Sequence, residues 1–113
     1  MISLHIVIFI LFLHWFSDFV LQSDWEAKNK STSDIALFSH TITYSLPWLF
    51  FGIPFAIITF LCHTLTDYYT SRLNSKLWAK GDVHNFFVSI GFDQFLHYIQ
   101  LLLTYYFLHG TKY

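Results

Sequence analysis

The sequence predicts an all-α fold, a bundle of four transmembrane helices enclosing an intramembrane cluster of histidine and aspartate. Three observations predict it. First, 55% of the 113 residues are hydrophobic and 22% aromatic, while 12% are charged, about half the ~25% usual in a soluble domain. So short a chain leaves a large share of its surface exposed, so the apolar excess must face something apolar, and lipid is the simplest answer. Second, the apolar residues fall into runs long enough to cross a bilayer. Third, the ionisable residues inside those runs recur at four-residue spacing.

The first helix is expected at about 2–22, a nearly unbroken apolar stretch interrupted chiefly by His5, His14, Ser17 and Asp18. A spanning helix needs about 20 such residues for a ~30 Å hydrocarbon layer. The stretch lacks the positive region and small-residue cleavage site of a signal peptide, so it is expected to be retained. Residues 22–34 are polar and read as a loop, with Ser33 or Asp34 as the N-cap of the next helix. The apolar residues from 35 to 70 are too many for one crossing. Pro47, Gly52 and Pro54 near their middle divide them into helices at about 35–51 and 54–72, because proline removes a backbone donor and clashes with the preceding turn. A single kinked helix would overshoot the bilayer. A second polar loop, 71–84, precedes the fourth helix at about 85–108. Neither a repeat nor a second domain is visible, so 1–113 reads as one transmembrane domain.

Lys28, Lys30, Arg72, Lys76 and Lys80 lie in the first and third connections, while the opposite side offers Lys112 and the α-amino group. The positive-inside rule then places both basic loops in the cytoplasm and both termini outside, in a multi-pass membrane protein. The net charge of −1 gives no reason to expect nucleic acid as a partner.

Helix 1 carries His14 and Asp18, helix 3 His63 and Asp67, and helix 4 Asp93 and His97 in reversed order. Positions i and i+4 share a helix face, so each pair can point at one centre. Helix 2 adds His40, with Tyr44 one turn on. At ~1.5 Å per residue, Asp18, Asp67 and His40 lie roughly 6–9 Å from the cytoplasmic loops, His14, His63 and Asp93 roughly 12–15 Å, and His97 at ~20 Å. The reversed order on helix 4 is what an antiparallel helix needs to match its neighbours.

Ionisable groups at such depth are costly and mark function. Four imidazoles and three carboxylates suit a divalent metal: zinc first, with manganese or iron compatible. Seven candidate ligands exceed one zinc's need, so either two metals are present or several residues orient the ligands. Gln22, on the face of Asp18, and Gln94, beside Asp93, are candidates for hydrogen bonds to a ligand or substrate. His5 and His109 read as interfacial, His84 as a helix flank, Cys62 as packing, and the four tryptophans with the terminal tyrosines as aromatic belts.

The run from His14 through Phe16, Asp18, Gln22 and Trp25, with Ala27, Asn29 and Lys30, resembles the opening motif of a bacterial and phage membrane family, domain-of-unknown-function family 3307. His40 with Tyr44, His63-x-x-x-Asp67-Tyr68 and Asp93-Gln94-x-x-His97 fit the same family. The pattern is also similar to small proteins labelled as membrane-bound metal-dependent hydrolases. That resemblance implies a reaction class without a substrate.

The leading expectation is therefore a metal-dependent hydrolase acting on a lipid or lipid-linked substrate near the cytoplasmic leaflet. His14, His63 and His97 are the first choices as ligands, with His40 beside them. Asp18, Asp67 and Asp93 are further ligands or orienting partners, and one of them serves as general base. Two other classes stay open: a proton or divalent-ion conduit, and an accessory protein that binds a host partner and uses the cluster structurally. A homo-oligomer is compatible with so thin a bundle, although no small-x-x-x-small stripe stands out.

Overall fold

A computed structural model describes residues 2–110. It is helical from end to end, with no strand among the described residues. Lys112 and Tyr113, which entered the orientation and aromatic-belt arguments, lie outside them. The elements are α1 (Leu4–Trp15), α2 (Asp24–Asn29), α3 (Asp34–Ser45), α4 (Ile53–Ala79) and α5 (Val83–His109).

Helix α1 begins at Ser3, whose hydroxyl accepts from the Ile6 amide at 3.3 Å. It does not run unbroken to residue 22 as expected. From Phe16 to Val20 the turn widens into a π-helical segment, closed by Leu21 N donating to Phe16 O at 3.0 Å. Such insertions are rare and cluster at functional sites. Here the extra residue turns Ser17 and Asp18 inward together, and both are buried.

The polar stretch 22–34 is not all loop. Helix α2 folds inside it on a capping box: the Ser23 hydroxyl accepts from Glu26 N at 3.1 Å, and the Glu26 carboxylate accepts from Ser23 N at 2.9 Å. Two otherwise orphaned amides are thereby satisfied. Ser33 caps α3 as expected.

The division near residue 50 is where the sequence puts it. Helix α3 tightens into a 3₁₀ segment, Leu46–Phe51, with Pro47 at its start. The chain then reverses at Gly52, whose φ of +109° is open to glycine at little steric cost. Pro54 occupies the first turn of α4, where its missing N–H leaves no partner unsatisfied.

The expected loop at 71–84 is a second correction. Helix α4 continues through Arg72, Asn74 and Lys76 to Ala79, leaving three residues, Lys80 to Asp82, before α5. It stops in a Schellman arrangement, with Gly81 N donating to Trp78 O and Asp82 N to Leu77 O, both at 3.0 Å, around the positive φ of Gly81. Asp82 then caps α5 through the Asn85 amide. Polarity had marked the stretch as loop, but solvated polar residues are compatible with helix, and the stop comes at the glycine.

Helix α5 is long and apolar enough to cross a membrane; the shorter apolar stretch Leu4–Val20 is α1 with its π segment. Many large apolar side chains face outward, among them Ile8 and Phe12 on α1, Leu61 and Leu65 on α4, and Phe95 and Phe107 on α5. The interior divides lengthwise. One end is an apolar core of Ile10, Leu13, Tyr44, Trp48, Phe55, Leu101 and Tyr105. The other is polar.

Candidate metal centre

Four helices deliver their inward-facing ionisable groups to the polar end. Helix α3 brings His40, α4 brings His63 and Asp67, α5 brings Asp93 and His97, and α1 with its π turn brings His14 and Asp18. All seven are buried.

Their contacts are tight. His40 Nε2 lies 3.0 Å from Asp18 Oδ1, 3.3 Å from Asp67 Oδ2 and 3.2 Å from His63 Nε2. His63 Nε2 lies 3.4 Å from Asp18 Oδ1 and 3.3 Å from Asp67 Oδ2. Four donor atoms thus surround one point, with these five separations between 3.0 and 3.4 Å. Tetrahedral ligands at zinc–nitrogen and zinc–oxygen bonds of ~2.0–2.1 Å stand roughly 3.3–3.4 Å apart. The donor set and its spacing fit a divalent metal.

A second group adjoins it. Asp18, Asp93 and His97 can each present a ligand atom within 4.8 Å of the others. His97 Nε2 lies 3.2 Å from Asp93 Oδ1 and 3.2 Å from Asp67 Oδ1. Asp67 therefore shows one oxygen to each group. Asp18 directs Oδ1 to the four-donor group, while its Oδ2 lies 3.7 Å from His14 Nε2 and 3.5 Å from Gln94 Nε2.

His14, expected among the first ligands, stands outside both donor groups. Its Nδ1 is 2.7 Å from the Tyr44 hydroxyl and its Nε2 is 2.6 Å from Gln94 Oε1, so both nitrogens are already engaged. His40, expected as a lesser member, stands inside the four-donor group. Gln94 reaches His14, Asp18 and Asp93. Gln22 meets none of the seven and instead lines an adjoining cleft. His5 and His84 are exposed, and His109 bonds the Phe51 carbonyl in the apolar half.

Further side chains pack around or near the donors, some of them, Thr70, Lys30 and Glu26, outside the four-residue spacing. Tyr44 stacks on the His63 ring at a centroid distance of 3.7 Å and an interplanar angle of 13°, and His63 stacks on His97 at 4.1 Å. Thr70 donates to Asp93 Oδ1 at 2.6 Å. Lys30 reaches in from the connection, with Nζ 3.3 Å from Asp67 Oδ2; its one sequence signal was its place in the opening motif. Glu26, also missed, fastens α2 to α3 by accepting from the Ser39 hydroxyl at 2.5 Å. Burial pushes its carboxyl up, but the hydrogen bonds from Ser39 and Ser23 prevail and hold it below the ordinary glutamate range.

A cleft of about 810 Å³ reaches the edge of the cluster at Asp18 and Asp93; it opens between the end of α1, the connection through Lys30, and the facing ends of α4 and α5. Asp18, Asp93 and Gln94 line it, together with Phe19, Trp78 and Phe87. At the opposite side of the cluster the apolar core closes the bundle.

Fold and site together define an all-helical protein with buried His/Asp groups that could hold a metal ion. The chain belongs to the family described as protein of unknown function DUF3307, whose profile matches residues 6–112. No curated protein and no solved structure matches the chain.

Proposed function

We propose that this protein is a membrane-embedded, metal-dependent hydrolase acting on a lipid or lipid-linked substrate near the cytoplasmic leaflet of a bacterial inner membrane. One observation carries the reading: four buried donor atoms, with five mutual separations of 3.0–3.4 Å, adjoin through Asp18 a cleft whose lining is part carboxylate and amide, part aromatic.

Asp18, His40, His63 and Asp67 would hold the metal, zinc before manganese or iron. A divalent metal held by these residues would supply Lewis-acid chemistry, a water with its pKa lowered to ~7 and a polarised carbonyl or phosphoryl oxygen. The protein's own groups supply the rest. Asp93 lines the cleft, stands outside the four-donor group, and is fixed by the Thr70 hydroxyl, which suits it to be the general base. The water oxygen adds to the acyl or phosphoryl centre and the bond to the leaving oxygen breaks. The proton passes from water to Asp93 and on to the leaving oxygen. His14, bound between Tyr44 and Gln94, orients that wall.

Three features support the membrane setting. Helix exteriors are apolar while the interior at one end is ionisable, the reverse of a soluble domain. Helix α5 has the length and composition to span. The basic residues Lys28, Lys30, Arg72, Lys76 and Lys80 gather at the cleft end, as the positive-inside rule asks of the cytoplasmic side. A conduit would need polar groups continuing through the other end, where Trp48, Phe55, Leu101 and Tyr105 pack instead.

The test is elemental analysis of protein purified in detergent without a histidine tag, beside His63→Ala and Asp67→Ala. One or two equivalents of metal, lost in both variants, are expected, followed by turnover in a screen of lipid esters. Lack of stoichiometric metal even after adding it back would sink the reading and leave a structural cluster.

A further inference from the structure

The cleft contains a second polar set that the hydrolytic groups do not use. The Ser71 hydroxyl is buried and meets no partner, and Gln22 Oε1 and Asn74 Oδ1 are buried and equally unpartnered. All three residues line the cleft, as does Lys30. Buried polar groups are nearly always hydrogen-bonded, so three unmet ones beside an ammonium group mark where a polar group from outside belongs.

The chemistry of the set narrows that group. Lys30 supplies a positive charge, held 3.3 Å from Asp67 and therefore beside the four-donor group. Ser71 supplies a hydroxyl, and Gln22 and Asn74 supply side-chain amides whose nitrogen and oxygen ends interchange by rotation. These residues come from three separate stretches of chain and border the cleft from different elements. A tetrahedral phosphate offers acceptors in several directions and suits a lysine point charge; a planar carboxylate offers them in one plane. The cleft, at about 810 Å³, is also far larger than a phosphate. Much of its remaining lining is apolar: Phe19, Trp78, Phe86, Phe87 and Ile90.

We propose that the cleft binds the phosphate headgroup of an anionic lipid on Lys30, Ser71, Asn74 and Gln22, with its acyl chains against the aromatic lining. This makes the substrate class phosphate-bearing amphiphiles, an assignment that rests on the hydrolase reading for its catalytic consequence but not for binding. Lys30 and Asn74 are substrate-binding residues, distinct from the metal donors.

The experiment is calorimetric titration of the full chain in neutral detergent, with metal content measured on the same samples. The probes are dihexanoyl phosphatidic acid, dihexanoylglycerol and inorganic phosphate, against unsubstituted protein, Lys30→Ala, Asn74→Ala and Lys76→Ala. Lys76 is exposed on α4 outside the cleft. Phosphatidic acid should bind well ahead of both other probes. Lys30→Ala should weaken it about 10–100-fold and Asn74→Ala about 3–10-fold, while Lys76→Ala leaves it unchanged. Equal binding of dihexanoylglycerol, or equal effects of Lys30→Ala and Lys76→Ala, would overturn the headgroup assignment. Inorganic phosphate binding as tightly as the lipid would overturn the lipid assignment. Should Lys30→Ala fail to fold, Asn74→Ala and the three-probe comparison on unsubstituted protein decide. Stoichiometric metal without phosphatidic acid binding sinks this inference alone; phosphatidic acid binding without metal sinks the hydrolase reading alone.

Discussion

The two ends of the bundle are built from the same four long helical stretches but solve different problems. At one end Ile10, Leu13, Trp48, Phe55, Leu101 and Tyr105 interdigitate, with Trp48 stacked on Phe55 at a centroid distance of 5.6 Å. Dispersion and close packing act there without any charged group. At the other end the same helices turn four imidazoles and three carboxylates toward one another. Such groups are costly to bury unless paired or bound to a metal. The apolar end packs without a charged group, whereas the polar end gathers buried ionisable groups that could hold a cation. Apolar packing and buried ionisable groups are thus separated along the bundle, and substitutions at the two ends should have separable effects.

The largest effect should follow His63→Ala. It removes one of four mutually adjacent donors, and bound metal should fall from stoichiometric to background by elemental analysis. Chelation of the unsubstituted protein should lower its thermal stability in detergent by ~4 kcal/mol if the metal stood a thousandfold above its dissociation constant. In His63→Ala the same chelator should do nothing. A chelator effect that survives the substitution would place the metal elsewhere.

Trp48→Ala should behave in the opposite way. Deleting a fully buried indole costs about 3–5 kcal/mol, yet the folded fraction should keep its full complement of metal. Metal loss in proportion to destabilisation would mean that the two ends form one cooperative unit and the comparison fails.

Tyr44 sits on the boundary between the ends. It packs among the apolar residues, stacks on His63, and bonds His14 through its hydroxyl. Tyr44→Phe keeps the ring and removes the bond, so stability should change by about 1 kcal/mol. Metal affinity should fall about tenfold, the usual scale for a residue that orients the groups around a metal. Competition with a chromogenic chelator measures it. Unchanged affinity would assign Tyr44 to the apolar end alone.

Legibility in the sequence followed the same division. Long apolar runs and four-residue spacing are strong periodic signals, so the helices and the gathering of His14, Asp18, His40, His63, Asp67, Asp93 and His97 could be read from the chain. Which of them converge could not. Spacing sets a face but not the rotation that the π turn at Phe16–Val20 imposes, and so it could not tell that His14 is engaged by Tyr44 and Gln94 while His40 faces the donor group. Lys30 and Glu26 were missed because they lie in polar stretches where periodicity is silent. For Glu26 a signal existed, since Ser23-x-x-Glu26 is a capping-box signature. The loop expected at 71–84 gives way to helix for a related reason: polarity does not specify irregular backbone, and the helix stop lies at Gly81.

Glu26 gives the smallest test and isolates a part of the molecule belonging to neither end. Its carboxylate closes the capping box of α2 and ties it to Ser39 on α3, and α2 with the following residues forms one side of the cleft. The carboxyl is held below the ordinary glutamate range, so ionised Glu26 stabilises the fold above the unfolded group's value. That contribution is lost as pH falls through the lowered folded value. Glu26→Gln keeps an acceptor for Ser23 and can still bond Ser39, so at neutral pH it should cost only about 1 kcal/mol. The difference from unsubstituted protein should shrink toward zero in acid, because both proteins then carry a neutral side chain there. Metal content should be unchanged, since Glu26 touches none of the donors. Thermal unfolding of the two proteins between neutral pH and mild acid decides the matter. A difference that stays constant with pH would mean that shape, and not charge, holds α2 against the cleft.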